Sequence, residues 1–338
     1  MIPETRSPEQ RPSWPWRCPD CGLPLDVAAD GPALDAAMPC PRPCGGCGRR
    51  FQRLEGLADL RPLASRDLLL RFAAEYAAVR IAEGRGTIAR ADLRALPWPG
   101  PLTPMAWEWL IRSASFETFL DGVLRPIQAQ RAVPQILDLG AGVGWLSHRL
   151  AWEGCHALAM DACADPLVGL GAATGFLQAD GRVDGESGVA PGTMTLALAD
   201  FNRVPLTDAS VDLVVFNASL HYGADLAGAL KEAERLLAPD GRIAVIDSPF
   251  YENVSAGRSM AAAQQATFRE RTGKASDAQG GVAFLTRADL AQAGSATGLR
   301  WRYLEPHRGW RWKLRRSWRR LRLGRESAAF PVAVAERV

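Results

Sequence analysis

Nowhere in the 338-residue sequence does an apolar run approach the ~18 consecutive residues of a membrane-spanning helix. The stretch from Met1 to Trp16 is rich in proline and charge and lacks the apolar core of a secretory signal, so a cytoplasmic location is expected. Thiols stay reduced in that compartment, which makes the clustered cysteines among the seven present read as metal ligands before disulfides. No internal repeat occurs beyond two short cysteine knuckles. The net charge of +3 is too small to specify a partner. With 47% hydrophobic residues the chain is long and apolar enough for one main domain with a smaller appendage.

Also missing is the glycine spacing of a dinucleotide fingerprint. Ile136-Leu137-Asp138-Leu139 reads as a buried parallel strand, and Gly140-Ala141-Gly142-Val143-Gly144 follows it as G-x-G-x-G rather than G-x-G-x-x-G. Glycines there let the backbone turn tightly and approach a ligand without a Cβ in the way. Trp145 to Leu150 then continues at helical spacing. Further strands follow in order: His156–Asp161, ending in an acid suited to two ribose hydroxyls, then Met194–Asp200, Val211–Asn217 and Arg242–Asp247. Between the last two, Leu226 to Leu237 is an amphipathic helix ending at Pro239-Asp240-Gly241.

This ordered set resembles the class I S-adenosylmethionine-dependent methyltransferases, with the type 11, ubiquinone and menaquinone C-methyltransferase-like group nearest in flavour. The resemblance covers about Pro134 to Asp247, with further strands near Leu299–Leu304 and Phe330–Ala335. It implies an α/β fold, a Rossmann-like, seven-stranded doubly wound sheet with its last strand antiparallel. It also implies a cofactor site of Asp138, Gly140, Gly142, Gly144, Asp161, Asp200, Phe201 and Asn217. In that family the acid at the ribose corresponds to Asp161, and the adenine-binding loop to the segment from Asp200 to Pro205 and Leu206.

Cys18-Pro19-Asp20-Cys21-Gly22 and Cys44-Gly45-Gly46-Cys47-Gly48 are two C-x-x-C-G knuckles with 22 residues between Cys21 and Cys44. That is slightly beyond the roughly 15–20 usual for paired knuckles, which suits a longer ribbon hairpin. Four thiolates fit a closed, structural zinc through Cys18, Cys21, Cys44 and Cys47, and Phe51 to Leu57 reads as the strand ending the ribbon. Cys40 is either an alternative ligand or a spare thiol. Cys155 and Cys163 read as buried small apolar residues.

Three units are expected: the tail and zinc ribbon over 1–62, a helical connector and cover over 63–133, and the methyltransferase domain over 134–338. Helices are predicted over 67–82 and 105–124. Trp107, Trp109 and Phe116 either line an acceptor pocket or pack in the core. The insert 248–285 reads as a lid, with an inert surface loop as the alternative. Residues 308–325 carry nine basic residues and no acid, interleaved with Trp310, Trp312 and Trp318. This stripe suits peripheral contact with an anionic membrane at the inner face, contact with RNA phosphate, or packing on the protein itself.

His221 is the expected general base, because its ordinary pKa lies near 6.5 and the end of the fourth strand faces the transferred methyl in the resembling fold. A purely structural histidine is the alternative. Tyr222 beside it is the second catalytic candidate. Asn217 suits an acceptor amine, but the N-P-P-Y motif of amino-directed DNA methyltransferases is absent. The leading expectation is methylation of a small-molecule or lipid- or quinone-like acceptor. An rRNA methyltransferase with a zinc-ribbon RNA module is the alternative, followed by a non-catalytic scaffold with a vestigial pocket.

Overall fold

A computed structural model describes residues 14–27, 40–100, 105–177, 192–273, 281, 283–309 and 326–338. Its centre is a run of strands whose apolar residues are buried on both faces. β3 (Gln135–Leu139), β4 (His156–Asp161), β5 (Thr193–Leu198), β6 (Val211–Asn217) and β7 (Leu237–Ile246) are parallel. β9 (Val332–Arg337) inserts antiparallel between β7 and β8 (Leu299–Leu304). These are the seven strands expected. A hairpin, β1 (Gln52–Leu54) and β2 (Leu57–Asp59), extends the sheet to nine in the order β1-β2-β5-β4-β3-β6-β7-β9-β8.

The segment expected to be one ribbon strand therefore turns back on itself at Glu55-Gly56, both at positive φ. The second arm joins β5 by the Asp59–Leu198 pairing and a Leu60 N–H to Leu198 carbonyl bond of 2.8 Å. Strand β7 also begins earlier than expected. Leu237 already pairs with Val211, and the register shifts before Leu213 pairs with Arg242, so Pro239-Asp240-Gly241 is a bulge inside the strand rather than a turn before it.

Alternation along the strands splits the core in two. Ile136, Ala159, Leu213 and Ala244 face a cluster with Trp109, Phe116, Phe119 and Trp145. Leu137, Leu158, Val214 and Val245 face the other cluster, which holds Leu230, Leu290, Trp14, Trp16, Cys18 and Cys44. The ribbon thus shares a core with the sheet. Helices α1 (Arg66–Ala82), α2 (Arg90–Ala95), α3 (Ala106–Phe119) and α4 (Arg125–Gln128) precede β3, with one π-turn over Leu120–Leu124 between the last two. α5 (Trp145–Trp152) follows the glycine turn. α6 (Leu226–Leu236) buries Ala229, Leu230, Ala233 and Leu236, one face at helical spacing, and Asp225 caps it by accepting from Gly228 N–H. α7 (Val254–Thr272) lies within the insert, and α8 (Arg287–Thr297) opens on a Thr286/Asp289 capping box.

Candidate active site and cysteine cluster

The glycine turn sits at the carboxyl edge of the sheet, where β3 must reverse into α5. Gly140, Gly142 and Gly144 all lie at positive φ. A Cβ on Gly140 would come within 2.4 Å of Ser219 Cβ, and one on Gly144 within 2.6 Å of Ala173 Cβ. The carbonyl of Met160 on β4 accepts from both Gly140 N–H and Ala141 N–H, which locks the turn to the next strand.

Asp161 completes the turn. One carboxylate oxygen accepts from Gly142 N–H at 2.8 Å and the other from Cys163 N–H at 2.7 Å. The residue also lines the adjoining cavity, where its carboxylate can accept from a diol. Burial raises the Asp161 pKa, while those two N–H donors oppose the shift. Asp200 is more occupied: one oxygen accepts from the backbone and side chain of Asn202, the other from Ser65 Oγ at 2.9 Å. Its main work is to shape the 200–206 loop, with one lone pair left for a ligand. Phe201 packs edge-on against Phe216. These residues line a cavity of about 390 Å³ that α1 covers with Leu68, Leu69, Phe72 and Tyr76.

Four residues expected at the cofactor are absent from this cavity's wall: Gly142 and Gly144, which shape the turn, and Asp138 and Asn217. Asp138 is fully buried under the turn and absent from the cavity wall. It accepts from Ser147 Oγ at 2.8 Å, its other oxygen has no hydrogen-bond partner among the described residues, and burial pushes its pKa up to about 7. It braces β3 against α5 instead. Asn217 ends β6 buried and lines neither this cavity nor the next.

A second cavity of about 990 Å³ adjoins the same edge. Val79, Trp107, Ile111, Tyr251 and Phe284 give it apolar walls, and α7 forms one side with Met260, Gln264, Phe268 and Arg271. The insert is therefore a cavity wall, as a lid reading requires, with 274–280 and 282 outside the described residues. Trp107 lines the cavity, while Trp109 and Phe116 pack against Trp145 in the core. Tyr222 borders both cavities. Its ring meets Tyr76 edge-on at 5.9 Å, and its hydroxyl accepts from Arg80.

Arg80 escaped the sequence reading. It extends the α1 stripe of Phe72 and Tyr76 by one turn, and that spacing was its only signal. Glu83 fixes it at 2.8 Å, Arg85 bonds the same carboxylate, and Arg85 in turn bonds Glu108 of α3. His221, the expected general base, is buried. Its Nδ1 lies 3.1 Å from Ser248 Oγ, and burial, reinforced by the Arg80 and Arg112 charges, pushes its pKa down to about 3. So weak a base is poorly matched to taking a proton near neutrality; it is a neutral, buried hydrogen-bonding residue on the second cavity's wall.

The four knuckle sulfurs converge as expected, all within 4.8 Å of one another. Cys18 and Cys47 approach to 3.7 Å, Cys21 and Cys44 to 3.4 Å, too far for disulfides and near the ~3.8 Å edge of a tetrahedron with ~2.3 Å metal–sulfur bonds. Both knuckles share one backbone pattern: Gly22 N–H bonds the Cys18 carbonyl and Gly48 N–H the Cys44 carbonyl, each at 2.9 Å. The donor set fits a thiophilic cation. Cys40 stands apart, 3.9 Å from the Phe51 carbonyl, and Cys155 and Cys163 are buried. Residues 310–325 of the basic stripe lie outside the described residues. Arg308 at its start bonds Ser115 Oγ and the Phe330 carbonyl.

Residues 137–245 match the family model described as a methyltransferase domain, of type 11. An uncharacterised methyltransferase of Mycobacterium tuberculosis is 34% identical over 115 residues, 34% of this chain and 40% of that protein. A malonyl-[acyl-carrier protein] O-methyltransferase of Erwinia billingiae is 31% identical over 114 residues, 34% of this chain and 39% of that one. The chain thus spans about 40% of the length of the curated relatives it matches. Among solved structures, an S-adenosylmethionine-dependent methyltransferase from Mesorhizobium loti superposes with a TM-score of 0.44 at 18% identity, covering 65% of this chain and 98% of that one. No helix among the described residues is long and apolar enough to cross a membrane.

Proposed function

We propose that this chain, whose residues 137–245 form a methyltransferase domain, transfers the methyl group of S-adenosylmethionine to a small-molecule or lipid- or quinone-like acceptor. The observation that carries the reading is the pair of cavities meeting at Tyr222, one beside the glycine turn and Asp161, the other large and apolar-walled. The glycine turn, with Gly140 on the cavity wall, takes the amino-acid end of the cofactor, Asp161 accepts from the ribose hydroxyls, and the 200–206 loop with Phe201 flanks the adenine. When bound, the sulfonium supplies an activated methyl group.

Displacement at that methyl asks the protein for alignment and exclusion of water more than for acid–base chemistry. Tyr222, pinned by Arg80, stands where acceptor and methyl would meet. The side chains of Val79, Ile111, Tyr251 and Phe284 favour an acceptor with apolar bulk, and α7 shields it from solvent. Cys18, Cys21, Cys44 and Cys47 hold one structural zinc, closed to substrate because all four positions are protein thiolates.

Calorimetry with S-adenosylhomocysteine tests the cofactor, with NAD as the competitor. Incubating cell extract with methyl-labelled cofactor and sorting label into lipid, small-molecule, RNA and protein fractions tests the acceptor. Label in the lipid or small-molecule fraction is expected. Label confined to RNA overturns the acceptor class, and preferential binding of NAD overturns the cofactor.

A further inference from the structure

The cysteine cluster is wired to the cofactor pocket through side chains that are not metal-ligand candidates. Asp20 occupies the tip of the first knuckle, between Cys18 and Cys21. Its carboxylate accepts from Leu63 N–H at 2.8 Å and from the Arg49 guanidinium at 2.5 Å, and its carbonyl accepts from Arg203 at 2.6 Å. Arg203 lies in the 200–206 loop that flanks the cofactor cavity. Leu63 lies just before Ser65 and α1, the helix that covers the same cavity and whose entry Ser65 bonds Asp200.

A second route leaves the other knuckle. Arg49, two residues beyond Cys47, donates to the Arg61 carbonyl at 2.7 Å. Arg61 is fully buried, forks onto both oxygens of Asp59 at 2.8 Å, and donates to the carbonyl of Ala162 at 3.0 Å, the residue after Asp161. The segment entering the first knuckle closes the circuit, with Arg17 N–H on the Pro205 carbonyl and Thr207 N–H on the Pro15 carbonyl. Both the cover of the pocket and two of its walls are thus held by groups whose positions depend on the knuckles.

We infer that the metal knuckle is a positioning element of the cofactor pocket, with Asp20 as its link, so that zinc at the four cysteines raises affinity for the cofactor. This rests on the cofactor reading above. Coupling between two sites is reciprocal, so cofactor should slow zinc loss by the same linkage. The effect is partial because Glu232 and Arg235 of α6 hold the 200–206 loop from its other side, bonding Val204 N–H and the Leu206 carbonyl. Treatments that strip or oxidise the thiolates would lower methyl-donor affinity without touching the pocket.

The test uses the full chain loaded with zinc, its zinc-stripped form, and Asp20→Ala and Asp20→Asn variants that keep all four thiols. Hydrogen exchange is followed in 63–76 and 200–206, with 211–217 and 243–246 as reference, alongside zinc content and S-adenosylhomocysteine calorimetry. Asp20→Ala should keep one zinc, exchange faster in the two pocket segments alone, and bind S-adenosylhomocysteine about tenfold more weakly, on the scale of one charge-assisted hydrogen bond lost. Asp20→Asn should recover part of both. Parental exchange in Asp20→Ala, equal acceleration in the reference strands, or no zinc in the parent overturns the inference. A parent that shows the segment-specific exchange yet fails to bind S-adenosylhomocysteine overturns the cofactor reading and leaves the coupling standing.

Discussion

The two carboxylates nearest the glycine turn, Asp138 on β3 and Asp161 on β4, differ sharply in use, and each difference is measurable. Asp161 lines the cavity, so Asp161→Ala should weaken S-adenosylhomocysteine binding by the ~1.5–3 kcal/mol of a charge-assisted bond, about ten- to hundredfold, in calorimetry. Asp138 faces none of it, and its folded pKa of about 7 lies above its ordinary 3.8. The folded state therefore holds that proton more tightly than the unfolded one. Its contribution to stability is complete below about pH 4 and is lost as pH rises through about 7. Asp138→Asn, which can still accept from Ser147, should remove that decline. Thermal melts from about pH 5 to about 8.5 should show the parent falling relative to the variant, and parallel curves would contradict the assignment. For His221 the sign reverses: a folded pKa of about 3 costs stability as pH falls below its ordinary 6.5, and leaves it uncharged where enzymes usually work.

At the scale of elements, the strand–glycine–helix unit was legible because three constraints coincide in one short stretch: an apolar run, positive-φ positions, and helical spacing after them. The constraints are unequal. Gly142 is open, with only the Tyr76 hydroxyl nearby, 3.9 Å from where a Cβ would stand, whereas Gly140 and Gly144 abut Ser219 and Ala173. Gly140→Ala and Gly144→Ala should each cost ~1–3 kcal/mol of stability from the strained backbone, with the clash added, and abolish S-adenosylhomocysteine binding. Gly142→Ala should cost nearer ~1 kcal/mol, the left-handed penalty alone. Equal losses in melts and calorimetry would contradict this ranking. What stayed hidden was long-range: Ser65 to Asp200 spans 135 residues and Arg61 to Ala162 spans 101, and no local periodicity encodes such pairings. Asp138 was misplaced for a related reason. The resemblance puts it beside the first glycine and so at the cofactor, but the fold buries it between strand and helix. The hairpin at Gln52–Asp59 was read as one strand because its arms, three residues each, are too short for alternation to reveal a turn.

Across the whole molecule, a seven-stranded doubly wound sheet with an antiparallel last strand was expected, and the attachment of the N-terminal segment to its β5 edge was not. A ribbon drawn from sequence is a separate module; here Trp14 donates to Thr195 of β5, Trp16 pairs with Leu206, and Leu57, Ala58 and Leu60 are wholly buried. An exposed parallel edge strand with apolar neighbours is a template for association. A chain consisting of 63–338 loses β1, β2 and both tryptophans at once, exposing that edge and part of the core shared with Cys18 and Cys44. It should be less soluble than the parent and unfold at a lower temperature, and the parent itself should unfold in a single transition that zinc removal shifts downward without splitting. Calorimetric scans of the full chain with and without chelator, and light scattering of the truncated chain, measure both. Two resolved transitions in the full chain, or a soluble 63–338 fragment melting where the parent does, would mean that ribbon and sheet fold as independent units despite their shared core.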